Sequence, residues 1–412
     1  MRVLLCTLPQ NTHFLTLAPL AWALRTAGHE VRVASAPGFS GRITQAGLTA
    51  SPVGRDPEVA EDDSAARESI RRGLPRPYDV AELGPDAVAW DDEAVEGYGI
   101  MVQYAFGEDN EPMIDDLVEL ARAWQPDLVL WEPFTYAGPI AAKACGAVHA
   151  RFLFTTDVLG VTHEWVRGLG VEDPLIDLLT EASRRYGLDY SDDLVAGQFT
   201  INQLPPSLRT IGTGDYLHMQ YVPYGGPAVL PKWLWAKPER PRVALTMGLS
   251  ATEYFDGYTF RPSDILASLA DLDIEVVATV AASEQKRLGT VPDNCRIEPY
   301  VALHALAPTC SAVIHHGGFG TLSTVALHGV PHLVLPYHFE GPLLARKLAE
   351  QGAGLVVDAD AVSGQAIREA LLRLLHEPEF EVRAARLRAE YRSLPSPNEL
   401  VPQIEQYVAK LR

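Results

Sequence analysis

Residues 312–327 read AVIHHGGFGTLSTVAL: an apolar run closed by His315 and His316, then glycines at 317, 318 and 320, then helical spacing. Glycines at such a junction let the backbone turn tightly and approach a ligand. The first turn of the following helix offers unpaired N–H groups at the positive end of its dipole. Together these features make an anion site of the kind that holds a phosphate, although an ordinary strand-to-helix turn is a competing reading. Strand alternation sends His315 and His316 to opposite sides, so they do not chelate one metal ion. One supports the core while the other donates to a phosphate oxygen. Near the amino terminus, in LCTLPQNTHFLTLAPL, His13 sits in the first strand-to-helix loop. A neutral imidazole there suits general-base chemistry near pH 7, against the alternative of a plain polar loop residue.

The elements that must position these histidines follow one pattern, used twice. Val3–Cys6 is an apolar run, Thr16–Ala27 has helical spacing with Leu17, Leu20, Ala21 and Leu24 on one face, Gly28 suits the helix end, and Val31–Ser35 resumes as a strand. Asp127–Trp131 is a buried-strand candidate followed by a helix near Ala137–Cys145. The rhythm restarts with strands at Val243–Met247, Glu275–Val280, Ala312–His315 and Leu333–Leu335, and helices begin near Ser263, Gly320 and Pro342. Between the halves, Tyr221–Pro241 holds five prolines and two glycines, the composition of a linker. Alternating strands and helices predict an α/β chain with two parallel-sheet domains. Ligands of such sheets lie outside the carboxyl ends of the strands, so two sheets facing each other make a cleft, and both histidine loops face it. The acidic, weakly periodic stretch from about 55 to 115 reads as loops and helices shaping one side of that cleft.

Length and composition agree. A chain of 412 residues suggests two domains of about 200 residues each. Hydrophobic content of 47% and charged content of 21% are those of a globular protein. No apolar run approaches the roughly 20 residues that cross a bilayer, and the opening MRVLLCTLP reads as a strand rather than a secretion signal. A cytoplasmic location is expected. Four cysteines without a C-x-x-C pattern fit buried reduced thiols and give no metal or disulfide framework. A net charge of −19, with acidic clusters at 56–63 and 91–96, repels nucleic acid and anionic lipid, so any phosphate must be held locally. The first loop, Thr7–His13, has no glycine and lacks the dinucleotide fingerprint of a dehydrogenase. Two Asp-x-Asp triplets, Asp271–Asp273 and Asp358–Asp360, flank strands as polar turns, and no metal is expected there.

HHGGFGT followed by GVPHLVLPYHFEGPLLARKL (Gly329–Leu348) resembles the nucleotide-sugar motif of GT-B glycosyltransferases, particularly those that decorate actinobacterial macrolides and aromatic polyketides. HFLTLAPLAWALRTAGHEVRVAS, YVPYGGPAVLP, PRVALTMG and YVALHALAPTCSAVIHHGG resemble that family in the same order, so the likeness spans nearly the whole chain. It implies two facing Rossmann-like, doubly wound domains: residues 1–220 for the acceptor, 221–240 as linker, 241–395 for the nucleotide sugar. Residues 396–412 are expected to form a C-terminal helix that packs back on the first domain.

Residue roles follow from the resemblance where the letters match. His316 would contact the donor diphosphate, with Gly318, Gly320 and Thr321 as donors around it and Gly248 and Ser250 as the opposite wall. Val301 and Leu303 stand where relatives hold the nucleobase, although their character equally suits a core. His13 matches the family's general base, and Glu132 is the candidate orienting carboxylate where relatives often show an aspartate. Glu340 and Gly341 occupy the place of an Asp-Gln pair that grips sugar hydroxyls in glucose-transferring relatives; the missing side chain at Gly341 favours a deoxysugar. Phe154, Trp165 and Leu175 either line an acceptor pocket or pack the core. The implied activity is metal-independent, inverting transfer of a sugar, expected to be a deoxysugar from thymidine diphosphate rather than uridine diphosphate, to a hydroxyl of a polyketide or macrolide in antibiotic biosynthesis. The nucleotide sugar is a co-substrate, and no cofactor is expected. A nucleotide-sugar epimerase and a catalytically silent partner subunit are the alternatives; a homodimer and a helper protein are left open.

Overall fold

A computed structural model describes residues 1–56, 72–248 and 257–412. In the first half, β1 (Arg2–Cys6), β2 (Glu30–Ser35), β3 (Ala50–Pro52), β4 (Leu128–Trp131), β5 (Val148–Phe152), β6 (Thr200–Asn202) and β7 (Tyr216–His218) form a parallel sheet in the order β3-β2-β1-β4-β5-β6-β7. In the second, β8 (Arg242–Thr246), β9 (Glu275–Thr279), β10 (Cys295–Glu298), β11 (Ala312–His315), β12 (His332–Val334) and β13 (Gly354–Val356) repeat that winding as β10-β9-β8-β11-β12-β13. Both sheets are doubly wound. Strand order reverses between β1 and β4 in one and between β8 and β11 in the other, and those crevices are where ligands of such folds bind.

A parallel sheet covered on both faces must be apolar on both. Val3 and Leu5 of β1 join a core with Leu17, Leu20 and Leu24 of the helix Asn11–Thr26, whereas Leu4 and Cys6 join a second core with Leu117, Trp131 and Ile140. The helix Pro397–Leu411 completes the first of these cores with Leu400, Val401, Ile404 and Val408, so the last helix of the chain packs on the first domain. It opens with a capping box: Ser396 Oγ accepts the Glu399 N–H, and the Glu399 carboxylate accepts the Ser396 N–H at 2.8 Å. Truncating Leu400 or Ile404 to alanine would cost about 2–5 kcal/mol.

The two halves touch directly. Phe339 and Leu343 of the second reach the core of the first, Leu204 and Leu208 pack among residues of the second, Arg346 pairs with Glu82, and Lys347 Nζ donates to the Arg209 carbonyl at 3.2 Å. The helix carrying His13 begins at Asn11, not near Thr16, so His13 stands in its first turn rather than in the preceding loop. The polar first turn gave no apolar period to mark the start. The four cysteines are free, with Cys6 in the core and the other three half-buried rather than buried. Among the described residues no helix is long and apolar enough to cross a membrane.

Candidate functional site

β1 and β4 are neighbours in register, Cys6 opposite Trp131, so the residues just after them meet at the first crevice. There Glu132 is wholly buried, and its Oε1 accepts the Leu8 N–H at 3.1 Å and the Thr135 hydroxyl, while Oε2 accepts the Phe134 N–H at 2.9 Å. Oε2 lies 3.3 Å from His13 Nδ1, but the two are poorly aligned and Nδ1 has no well-formed hydrogen bond. Catalytic pairs are commonly loose before substrate binds. Burial alone would raise the Glu132 carboxyl, yet the His13 ring, the Thr135 hydroxyl and the Phe134 N–H together hold its pKa below the ordinary value. Glu132 is thus an ionised group held behind His13. The imidazole stacks on Phe154 at 3.8 Å between ring centroids and has Phe134 at 5.6 Å.

The second crevice is built the same way, with Thr246 of β8 opposite His315 of β11. His315 is fully buried; its Nδ1 accepts the Gly317 N–H at 3.1 Å, so its Nε2 carries the proton and donates to His332 Nδ1 at 2.9 Å. His315 is the core histidine. His316 faces the cleft, where burial, then the neighbouring His338, push its pKa down to about 4, the Thr246 backbone offsetting only part. Gly248 and Gly318 clamp this ring. A Cβ at Gly248, whose φ is 74°, would stand 2.5 Å from His316 Cε1, and one at Gly318 would stand 2.4 Å from Nε2. The helix Phe319–His328 starts directly after Gly318 and aims its free N–H groups into the same space.

Between the two crevices lies a cleft of about 570 Å³. His13 lines it from one domain and His316, Gly318, Gly320 and Thr321 from the other, with Gly248, Val301, Leu303 and Glu340 also on its wall. Val301 is at once in the wall and in a core with Leu306 and Val313. Gly341 is buried behind the wall, where a Cβ would meet the His316 carbonyl at 3.4 Å. Ser250 lies outside the described residues. Of the three apolar residues considered for an acceptor pocket, Phe154 lines the cleft, whereas Leu175 is in the core and Trp165 packs against it. Asp271 pairs with Arg368 and Asp273 with Arg240, and among the described residues no three His, Cys, Asp or Glu side chains converge to hold a metal.

Other residues of the cleft wall were not legible in the sequence. Tyr221 and Tyr224 of the linker line the cleft. So does Asp109, which opens the helix Asp109–Trp124 from within the weakly periodic stretch; burial, then the nearby Glu132 charge, push its pKa up to about 6. Spacing carried no signal for any of them.

Two facing Rossmann-like domains, with a histidine–carboxylate pair on one side and a glycine-clamped histidine at a helix start on the other, define a GT-B glycosyltransferase. The chain matches the family described as erythromycin biosynthesis protein CIII-like, through its N-terminal domain over residues 22–248 and its C-terminal domain over 263–407. It belongs to that glycosyltransferase family. It is 44% identical to 10-deoxymethynolide desosaminyltransferase of Streptomyces venezuelae, across 100% of this chain and 98% of the relative. It is 42% identical to tylactone mycaminosyltransferase of Streptomyces fradiae, across 99% and 93%. Among solved structures, glycosyltransferase VinC in complex with DTDP aligns with a TM-score of 0.86 at 37% identity, covering 100% of both chains.

Proposed function

We propose that this chain transfers a deoxysugar from a thymidine-diphosphate donor to a hydroxyl of a polyketide-type aglycone, with inversion and without a metal ion or cofactor. The observation that carries the reading is the pairing of His13 Nδ1 with the buried Glu132 carboxylate at 3.3 Å, across the cleft from the His316 loop. The names of the similar desosaminyl- and mycaminosyltransferases, and the thymidine diphosphate bound by VinC, support the donor and acceptor classes.

With Nδ1 turned to Glu132, His13 Nε2 is the nitrogen left for the acceptor. As the acceptor oxygen bonds to the anomeric carbon, the bond from that carbon to the diphosphate oxygen breaks on the opposite face. The hydroxyl proton passes to His13, and thymidine diphosphate leaves with the electron pair. His316, Thr321 and the N–H groups of the Phe319–His328 helix receive the charge that develops on the diphosphate. Incubation with a panel of polyketide aglycones and thymidine-diphosphate deoxysugars, in excess chelator, should yield a glycoside of inverted anomeric configuration and an equivalent of thymidine diphosphate. Retention of configuration, or a loss of activity reversed by magnesium, would refute the corresponding part of this mechanism.

A further inference from the structure

Glu132 is not the only carboxylate that His13 meets in its own domain. Asp109 lines the cleft together with the imidazole, and the charges of the two interact, whereas Glu132 lies behind the ring and off the cleft wall. The two acids are held differently. Glu132 accepts two backbone N–H groups and a hydroxyl, but among the described residues no hydrogen bond reaches the Asp109 carboxylate. The other acid and the other histidines on the wall, Glu340, His304, His316 and His338, come from the second domain. Glu340 also feels the His13 ring, yet its carboxylate is engaged by the backbone of Glu340 itself and of Phe319. No lysine or arginine stands among the described lining residues, so the nearest cation for Asp109 is the one that forms on His13.

The turn that carries Glu132 also fixes Asp109. Asn110 Nδ2 donates to the Phe134 carbonyl at 2.8 Å, and Asn110 Oδ1 accepts the Ala137 N–H at 3.0 Å. The Phe134 N–H and the Thr135 hydroxyl of that same turn bind Glu132. One hydrogen-bonded unit thus sets both carboxylates relative to each other and to the ring between them. The chain reaches this point as a π-helix, Val102–Glu108, a rare winding that recurs at functional sites. Because Glu108 is already helical, the helix Asp109–Trp124 continues that winding instead of starting afresh. Its first N–H groups turn back into the preceding turns, and the Asp109 carboxylate is left facing the cleft.

Building on the transferase reading above, we infer that Asp109 is a positioning residue for sugar transfer: its charge, from the cleft side, stabilises the imidazolium that forms as the acceptor hydroxyl gives its proton to His13. Asp109 takes no proton itself. The proton stays on His13 Nε2 while the new glycosidic bond forms and the diphosphate leaves. The acceptor proton is thus received between two negative charges, one buried and always ionised, the other open to the cleft. Burial, then the Glu132 charge, raise the Asp109 pKa to about 6, with His13 pulling it down and Glu108 adding a push upward. The Asp109 charge is therefore present above about pH 6 and lost as pH falls through that value.

The test is single-turnover release of thymidine diphosphate between about pH 5 and pH 8, with donor and aglycone saturating. The rate of the unmodified enzyme divided by that of Asp109→Asn should be near one at about pH 5, where both side chains are neutral. It should rise to about three- to tenfold at about pH 7.5, where only aspartate is charged. Asp109→Ser should repeat the asparagine result, and Asp109→Glu, which keeps the charge, should recover most of the rate at the higher pH. Thymidine diphosphate affinity should be the same in all of these proteins. Damaged packing lowers the rate by one factor at every pH, so a ratio that does not change with pH overturns the inference, as does a ratio near one throughout. If the unmodified enzyme releases no thymidine diphosphate with any aglycone, the transferase reading falls and this inference falls with it.

Discussion

Replacing Glu132 with glutamine removes one charge from behind His13 and almost no volume. The carboxylate sits 3.3 Å from Nδ1, and at an effective dielectric constant of about 20 a full charge pair at that distance is worth about 5 kcal/mol. The pair is poorly aligned in the free enzyme, and the ring becomes cationic only as the acceptor proton moves. About half of that value is therefore expected in the transition state, which corresponds to a fall in kcat of about 10²-fold. A glutamine oxygen in the place of Oε1 could still accept the Leu8 N–H and the Thr135 hydroxyl, but its amide nitrogen would then oppose the Phe134 N–H, so stability should fall as well. The assay is release of thymidine diphosphate at saturating donor and aglycone, with calorimetric affinity for thymidine diphosphate as a control for the distant second domain and a thermal melt as a control for folding. Unchanged nucleotide affinity with kcat reduced about 10²-fold is the expected result. A folded variant whose kcat stays within about threefold of the unmodified enzyme would show that the Glu132 charge takes no part in proton transfer.

His316 enters the cleft neutral, with a pKa of about 4, and a bound diphosphate should draw it toward the imidazolium form. His316→Ala should weaken thymidine diphosphate by about tenfold or more, and proton uptake on binding should be visible in buffers of different ionisation heat; unchanged affinity refutes the contact. Gly318 has ordinary φ, so Gly318→Ala strains no backbone and acts only by displacing the His316 ring from the 2.4 Å clash. Its nucleotide affinity should fall about as far as that of His316→Ala, and wild-type affinity would show that the ring position is irrelevant. Burial lowers His332 from 6.5 to about 3, so the unfolded chain takes up a proton in that window that the folded chain refuses. Its stabilising contribution is intact above pH 6.5 and is lost as pH falls. Denaturation of His332→Asn, which keeps an acceptor for His315, should show a pH slope shallower by up to about 1.4 kcal/mol per unit between pH 6 and 4. An identical slope would refute the linkage.

The parts of this architecture that the sequence disclosed are those with local periodicity. Val3–Cys6, Ala312–His315 and the helix after Gly318 announced themselves through apolar runs, glycines and spacing, and the order of both histidine loops followed. β5 did not, because VHARF buries His149 and Arg151, whose partners Asp193 and Asp157 come from later in the chain. β3, β6 and β7 are three residues each, too short for a period to register. The pairing of His315 with His332 depends on strand register, in which Val313, not His315, stands opposite His332. Asp109 and the linker tyrosines reach the cleft only through tertiary packing, and no spacing rule in one chain reports that.

The helix Pro397–Leu411 has a consequence for how this protein is made. The core containing Leu17 and Leu20 is closed by Leu400 and Ile404, so on the ribosome the first domain emerges with an apolar stripe exposed and waits for the whole second domain to be synthesised before it can be covered. At about 5–20 residues per second that wait lasts on the order of ten seconds or more. During it the unfinished sheet must be shielded or remain only loosely packed. Synthesis of the helix Pro397–Leu411, rather than completion of the first sheet, therefore sets the moment at which the His13 side of the cleft becomes rigid.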